Sequence, residues 1–309
     1  MSDKLFISVS PHISTPRTTR SIMLDVLIAL APTTLAGVII FGIRALFVIL
    51  ASVAAAVLSE WLFCLITGKK NTIGDLSAAV TGLLLALNLP ASIPIWQTVI
   101  GSAFAIIVVK CLFGGIGQNF ANPAITGRIF MIVAFTQTTA VALPKIVDTA
   151  SAATPLVDIK AGNTPALLDL LLGLRGGAIG EVCTAALLIG FVYLLVRRVI
   201  KPYAPLVFIG TVFVVSLIAE GFNFENALAL CMSGGLLIGA IFMATDYATT
   251  PITDLGKVVF GLGCGLITVL IRYFGSYPEG VSYAILIMNI LTPYIEKLTA
   301  RRPFGGEIK

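Results

Sequence analysis

Residues 148 to 155 form a short segment of small and hydroxyl-bearing side chains in a strongly apolar sequence. Thr154 in this segment stands directly before Pro155, and a proline disfavours helical backbone at the residue that precedes it. Positions 150, 152 and 153 are alanines, which leave room beside the backbone. The segment therefore predicts a threonine hydroxyl to which a bulky group can be attached, although most loops of this composition carry no modification.

Two polar interruptions, one in each half of the chain, carry other side chains that are suited to binding. Residues 114–123 contain Asn119 and Asn122, and residues 244–251 contain Asp246. Paired breaks of this kind between apolar segments point to a binding site where two structural repeats meet. The alternative is that both breaks are ordinary loops and that the asparagines cap the adjoining helix.

Glu60 lies within an apolar stretch, where a charged side chain is costly unless it faces the inside of a helix bundle or a polar path. We expect Glu60 and Asp246 in an ion path. The alternative for Glu60 is a position at the membrane interface, paired with a basic loop residue. No metal site is expected, because the five cysteines form no C-x-x-C pair and His12 is the only histidine.

Membrane helices must position these side chains. The chain of 309 residues is 58% hydrophobic and 11% charged, whereas about a quarter of the residues in soluble domains are charged. This composition predicts an all-α polytopic membrane protein. A span needs about twenty apolar residues, and fewer where it is sheltered inside the bundle. We predict about ten transmembrane helices, at residues 21–43, 45–66, 73–89, 96–113, 124–141, 177–196, 203–219, 227–242, 258–272 and 281–295.

The distribution of basic residues gives the expected orientation. The first twenty residues are polar and lack the apolar region of a signal peptide, so we expect the N-terminus in the cytoplasm. Ten spans then return the C-terminus to the cytoplasm. Fifteen of the twenty Lys and Arg residues, with Lys110 and Arg128 among them, fall on that side. Five, with Arg175 and Arg272 among them, fall on the other, in line with the positive-inside bias. This orientation places Thr154 outside.

The predicted spans divide the chain into three parts. The first five-helix half covers residues 1–141, an extracytoplasmic loop covers residues 142–176, and the second five-helix half covers residues 177–309. Because five is odd, a duplicated unit lies upside down relative to its copy. We therefore predict two inverted five-helix repeats.

Several blocks of the sequence match a known pattern. The run Asp148-x-x-Ser151-x-Ala153-Thr154 is similar to the D-x-x-[ST]-[GS]-A-T pattern that flavin transferases recognise, with Ala152 where Gly or Ser is more usual. The other blocks are Ser10-Pro11-His12-Ile13, Ile22-Met23, residues 118–124, residues 242–246, residues 272–275 and residues 277–281. In these blocks the chain resembles, over nearly its whole length, the RnfD proteins of the Rnf ion-translocating electron transport family and, more distantly, the NqrB proteins of the sodium-pumping NADH:quinone oxidoreductase.

The resemblance implies a flavin-carrying subunit of a redox-driven complex that moves Na⁺ or H⁺ across the cytoplasmic (inner) membrane of a bacterium. A flavin transferase would join FMN through its phosphate to the hydroxyl of Thr154. A second, non-covalent flavin, riboflavin, would bind near Asn119 and Asn122, whose amides suit the donors and acceptors of the isoalloxazine edge. The implied partners are the other Rnf subunits, A, B, C, E and G, above all the FMN-bearing RnfG. No nucleic-acid partner is expected.

Electrons would then be relayed between ferredoxin and NAD. The chain contains no NAD-binding fingerprint after a strand and no ferredoxin-binding domain, so the resemblance implies a subunit of a ferredoxin:NAD⁺ oxidoreductase that is not catalytically complete alone. The alternative function is a non-redox channel or secondary transporter, since an inverted-repeat fold is also a transporter architecture.

Overall fold

The structure, a computed structural model, is helical. It describes residues 17–69, 71–135, 138, 142, 155–160, 165–275 and 279–300. Within these residues the helices are joined by turns, and one isolated antiparallel bridge links residue 142 to residue 177. The all-α prediction is confirmed for this part of the chain. Its α-helices are α1 (Thr19–Phe41), α2 (Ile43–Thr67), α3 (Ser77–Leu87), α4 (Ile95–Phe104), α5 (Pro123–Ala134), α6 (Pro155–Lys160), α7 (Leu167–Leu172), α8 (Thr184–Val196), α9 (Tyr203–Ala219), α10 (Phe224–Cys231), α11 (Leu236–Ile238), α12 (Asp254–Phe274) and α13 (Val281–Thr299).

Two of these helices continue into π-helical turns. Residues Ala105–Cys111 extend α4, and residues Gly239–Met243 extend α11. A single 3₁₀ turn, Ile73–Asp75, precedes α3. π-helical turns are rare and are frequently found at functional sites, so both extensions direct attention to the side chains that they carry.

Three helices in the described part of the chain, α1, α2 and α12, are long and apolar enough to cross a membrane on their own. A fourth candidate is the pair formed by α10 and the extended α11, which meet at 58° and together pass the same test as a broken span. The remaining apolar helices are shorter. The chain is thus a multi-pass membrane protein. Each of the ten predicted spans overlaps a helix, while the count of ten, the inverted repeats and the orientation stay predictions.

The sixth predicted span begins later than expected. Residues 177–183 form turns, and α8 starts only at residue 184. The reason lies at the end of α3, whose last carbonyls lack partners within the helix. The amide of Ile179 donates to the carbonyl of Leu89 over 3.0 Å, and the amide of Gly180 donates to the carbonyl of Leu87 over 2.7 Å. The apolar turn segment therefore caps α3 inside the protein.

The packing of helices follows the same order in both halves of the chain. In the first half α2 contacts α3 and α4, and α4 contacts α5; in the second half α9 contacts α10 and α12, and α12 contacts α13. The halves meet through α1 against α8 and through α5 against α13. Each of these two contacts joins helices that hold the same position in their halves.

Candidate functional site

A cavity of about 680 Å³ lies between the two polar breaks. Its volume is within the range of sites that bind small organic molecules, roughly 300–1,000 Å³. Apolar side chains of α1 and α3, among them Met23 and Leu84, form part of the wall. Both halves of the chain contribute polar groups to it. They include Ser77, Lys110, Asn119, Asn122, Asp246 and Asn289.

The first break ends at the N-terminus of α5, which Asn122 caps. The side-chain oxygen of Asn122 accepts hydrogen bonds from the amides of Ala124, over 3.0 Å, and Ile125, over 3.3 Å. Its side-chain nitrogen donates to the carbonyl of Met243 over 3.3 Å. Asn122 therefore has the capping role that the alternative described, and it also ties the first break to the π-helical turn of the second half.

Asn119 and Asp246 meet at the cavity. The side-chain nitrogen of Asn119 donates to the carbonyl of Ala121 over 3.0 Å, and its side chain also hydrogen-bonds to Asp246. The hydroxyl of Thr249 donates to Asp246 over 3.2 Å. Desolvation raises the pKa of Asp246, and hydrogen bonds from Thr249, the backbone of Ala248 and Asn119 oppose that rise. A half-buried carboxylate thus faces the cavity from the second break.

Asn289 on α13 connects the two breaks. In the amide orientation that satisfies both neighbours, its side-chain oxygen accepts from the amide of Asn122 over 3.1 Å and its nitrogen donates to the carbonyl of Thr249 over 3.2 Å. Thr292, one turn later, donates to the same carbonyl over 2.9 Å. The walls of the cavity are therefore fixed to each other by a helix of the second half.

Glu60 lies behind the cavity wall, in a buried ion pair with Lys110. The Lys110 ammonium donates to both carboxylate oxygens of Glu60, over 2.8 and 2.9 Å, and to the hydroxyl of Ser77 over 2.6 Å. The hydroxyl of Thr72 donates to Glu60 over 2.6 Å. The side chains of Lys110 and Glu60 are 4% and 1% exposed. Glu60 is thus a buried residue paired with a base from a π-helical turn, and not with a basic residue of a loop.

A second polar region surrounds the break between α10 and α11, residues 232–235, which we call the helix-10 break. Arg272 donates to the carbonyls of Leu230, over 2.8 Å, and Ser233, over 2.9 Å. Arg175 donates to the carbonyl of Met232 and, over 2.8 Å, to the hydroxyl of Ser233. Both arginines are buried, and both occupy the C-terminal end of α10, where the helix dipole favours positive charge.

The other side of the helix-10 break carries a negative charge. A carboxylate oxygen of Glu181 accepts from the amide of Gly234 over 2.6 Å, just before α11 begins. Arg128 reaches the same region, where it pairs with Glu279 and donates to the side chain of Asn88 over 2.9 Å. The backbone groups that the bend exposes are therefore bound by side chains of the protein itself.

Comparison with known protein families agrees with this architecture. Residues 6–305 match the model of the NQR2, RnfD, RnfE family. The chain belongs to this family. The resemblance to RnfD, inferred from the sequence blocks, is thereby confirmed.

Individual family members are similar over almost their whole length. The chain is 43% identical over 307 residues to the D subunit of the Na(+)-translocating ferredoxin:NAD(+) oxidoreductase complex of Acetobacterium woodii, covering 97% of this chain and 95% of that protein. It is 41% identical over 316 residues to the D subunit of the proton-translocating ferredoxin:NAD(+) oxidoreductase complex of Clostridium ljungdahlii, covering 97% and 96%. It is 34% identical over 304 residues to the D subunit of the ion-translocating oxidoreductase complex of Methanosarcina acetivorans, covering 97% of each.

The structure of this family member brings together some of the predicted residues and leaves others aside. Asn119, Asn122 and Asp246 surround one cavity, and Glu60 is connected to its wall through Lys110. Asp148, Ser151, Ala153 and Thr154 lie outside the described residues, so the flavin motif stays a prediction. Pro155, which follows it, is the first residue of α6.

The sequence analysis missed the basic residues that are buried in the bundle. Lys110 and Arg128 were counted as cytoplasmic charges and Arg175 and Arg272 as external ones, yet all four are buried and hydrogen-bonded. Without these four residues, the remaining Lys and Arg residues are still more numerous on the predicted cytoplasmic side. Lys110 carried a readable signal, because a lysine inside an apolar run is as costly in a membrane as an acid.

Proposed function

We propose that this protein is a flavin-carrying membrane subunit of a redox-driven, ion-translocating ferredoxin:NAD⁺ oxidoreductase complex in the cytoplasmic membrane of a bacterium. The nearly full-length similarity to proteins named as the D subunit of such complexes supports the assignment to a complex. The observation that carries the flavin-binding role is the cavity between the two breaks, which is lined both by amide and carboxylate groups and by apolar side chains.

We assign the cavity to a second, non-covalent flavin, with riboflavin as the proposed ligand. An isoalloxazine is a flat, largely apolar ring system with hydrogen-bond donors and acceptors along one edge. Asn119 and Asp246 supply matching groups, while Met23 and Leu84 supply apolar surface. Asn122 supports this site from behind, since its own hydrogen bonds hold α5 against the second half. A bound flavin contributes one- and two-electron chemistry, and the chain contributes its position and surroundings.

The cavity assignment is tested by the flavins that the protein releases on denaturation. We expect riboflavin in the supernatant of wild-type protein and a strong reduction in Asn119→Leu, which loses the amide at the cavity and adds bulk. Asn71→Leu, at an exposed asparagine that does not line the cavity, is the matched control and should release the wild-type amount. Equal riboflavin in wild type and Asn119→Leu would place the ligand elsewhere, and no released flavin would remove the assignment.

For the covalent cofactor we propose FMN on Thr154, joined as a phosphoester by a flavin transferase. The motif that supports this proposal, from Asp148 to Thr154, lies outside the described residues. The test is mass spectrometry of the peptide that contains Thr154, together with flavin fluorescence after denaturing electrophoresis. We expect both signals to vanish in Thr154→Ala and to persist in Thr149→Ala, which alters a neighbouring hydroxyl that the motif does not specify. Fluorescence that survives in Thr154→Ala would refute the attachment site.

The remaining parts of the proposal concern ions and partners. Glu60 and Asp246 are proposed to line the path of the translocated Na⁺ or H⁺, because both carboxylates are held inside the bundle, one facing the cavity and one behind its wall. The partners are the other Rnf subunits, A, B, C, E and G, with FMN-bearing RnfG as the proposed electron-exchange partner. A non-redox channel or transporter is the outcome if neither flavin is found.

A further inference from the structure

Lys110 is shared between two sites that the sequence does not connect. Its ammonium group holds the carboxylate of Glu60 and the hydroxyl of Ser77, and both Lys110 and Ser77 line the cavity. The lysine sits in the last turn of the π-helical extension of α4, whereas Glu60 belongs to α2. One flexible side chain therefore joins the cavity to an acidic residue that the cavity itself does not expose.

The surroundings of Glu60 resemble a cation site that is filled by a tethered cation. Three oxygen atoms, two from Glu60 and one from Ser77, surround the Lys110 ammonium at 2.6 to 2.9 Å. Thr72 adds a hydroxyl on the other side of the carboxylate, and this residue is exposed at the surface. Hard metal cations bind to the same kinds of oxygen ligand. Thr72 does not line the cavity, so the carboxylate also contacts a surface residue outside it.

The ion pair also constrains what can happen when either partner moves. A buried carboxylate that loses its positive partner is strongly destabilised, by far more than an exposed one. Lysine is a compact charge on a stem of four carbons, and its three donors can turn toward a different acceptor. If the ammonium turns toward the cavity, Glu60 needs another positive charge, and Thr72 gives its carboxylate a polar contact with a surface residue.

We propose that Lys110 couples the charge of the cavity ligand to the binding of a monovalent metal cation, Na⁺, at Glu60. The proposal rests on the proposed flavin in the cavity. When that ligand is neutral, the ammonium stays on Glu60; when it is anionic, as a reduced isoalloxazine is, the ammonium turns toward it and the carboxylate takes up Na⁺. Oxidised riboflavin becomes the reduced anion by taking up two electrons and one proton from its electron donor, which is FMN-bearing RnfG in the proposed complex and the electrode in the experiment below. The ammonium then balances the negative charge of the ligand, and Na⁺ replaces the ammonium at Glu60, so both sites keep their net charge. Such a linkage is reciprocal, so Na⁺ also strengthens the binding of the anionic ligand.

The experiment measures riboflavin binding to the purified full-length protein by anaerobic equilibrium dialysis, with and without NaCl, against choline chloride of the same concentration. Riboflavin is used oxidised or reduced at an electrode, so that no sodium salt enters with a reductant. For wild type we expect Na⁺ to tighten the binding of reduced riboflavin and to leave the oxidised form unchanged. In Lys110→Met we expect roughly tenfold weaker binding of reduced riboflavin and no effect of Na⁺, because a charge-assisted hydrogen bond is lost.

Two further variants keep the result interpretable. Lys110→Met combined with Glu60→Gln leaves no unpaired charge in the bundle, so it should fold and still lack the effect of Na⁺. Lys69→Met, at an exposed lysine in the loop after α2, should behave as wild type. If wild type binds riboflavin but shows no effect of Na⁺, or if the effect persists in Lys110→Met, the coupling role is refuted while the flavin assignment stands. If wild type binds no riboflavin, both the coupling role of Lys110 and the assignment of the cavity to a flavin are refuted.

Discussion

The cavity and the helix-10 break are both places where regular helix is interrupted inside the bundle, and the protein treats them in opposite ways. At the helix-10 break, Arg175, Arg272 and Glu181 bind the exposed backbone groups directly. At the cavity, Asn119 and Asp246 bind each other and nearby loop groups instead of the ends of the broken helix, and both line open space. An interrupted helix is therefore no sign of a ligand site by itself. What matters is whether the protein's own side chains already satisfy the freed groups.

The charges follow the same division. The guanidinium groups at the end of α10 and the carboxylate before α11 match the signs of the helix-end dipoles, so they stabilise the bend. Desolvation around Asp246 disfavours its charged form and raises its pKa. A charged aspartate at this position therefore lowers the stability of the folded protein. We expect substitutions at the helix-10 break to lower stability and substitutions at the cavity to alter ligand binding instead.

The largest effect on stability is expected for Arg272→Met. The substitution removes the donors to the carbonyls of Leu230, Ser233 and Glu279 in a buried region. Unpaired backbone groups and the loss of a buried charge should lower the free energy of unfolding by roughly 3–5 kcal/mol. The measurement is the melting temperature in detergent together with the fraction of protein that elutes as one species.

The control for this prediction is Arg44→Met. Arg44 is exposed and donates to a single carbonyl, that of Ser92, over 2.8 Å. Its loss should cost about 1 kcal/mol or less. Similar melting temperatures for the two variants would mean that Arg272 does not stabilise the helix-10 break. The proposed difference between the break and the cavity would then be wrong.

Glycine substitutions give the next largest effect and compare both regions directly. Gly234, Gly235 and Gly117 all have positive φ, at 70°, 67° and 84°. A Cβ at Gly234 would lie 2.4 Å from Leu156 and 2.7 Å from Arg272, whereas one at Gly117, in the cavity, meets nothing within 4 Å. Each alanine should cost about 1–2 kcal/mol for its backbone conformation. Gly234→Ala should cost roughly 1–3 kcal/mol more, because it overpacks the break.

Thermal unfolding of the three alanine variants tests this order. Gly235→Ala, whose new Cβ has ordinary contacts, should resemble Gly117→Ala and not its neighbour. Equal losses for Gly234→Ala and Gly235→Ala would show that the helix-10 break is not tightly packed. A greater loss of thermal stability for Gly117→Ala than for Gly234→Ala would mean that the cavity, and not the helix-10 break, is the more tightly packed region.

The same contrast explains what the sequence could reveal. The two breaks that border the cavity are visible in the chain, because Gly, Asn and Thr residues interrupt apolar runs over eight to ten positions. The helix-10 break is hidden inside the apolar run that was predicted as one span, and only Ser233 and two glycines mark it. Its partners are Arg175, Arg272 and Glu181, which come from separate segments, so hydropathy along the chain cannot pair them.

Distance in sequence also hid the connection between Glu60 and the cavity. Glu60 was singled out because an acid in a span is costly, but Lys110, fifty residues later, was read only as a charge that helps to orient the chain. The local pattern that would have identified it is the apolar run on both sides of the lysine. Which acid it joins depends on how α2 packs against the π-helical turn after α4, and that is tertiary information.

The smallest effect on stability, and the one that separates the two regions most sharply, is expected for Asp246→Asn. The folded protein raises the pKa of Asp246, so between the unfolded and folded pKa values the folded state binds more protons than the unfolded chain. The stability contributed by the protonated form is then fully present below the ordinary aspartate pKa, near 4, and is lost as the pH rises through the folded value. Asparagine does not titrate, so its own contribution to stability does not change with pH. The difference in melting temperature, Asn minus Asp, should therefore increase with pH, and other titrating groups cancel because both proteins share them. A difference that decreases with pH would mean that the charged carboxylate is stabilised in the fold, as the charges at the helix-10 break are.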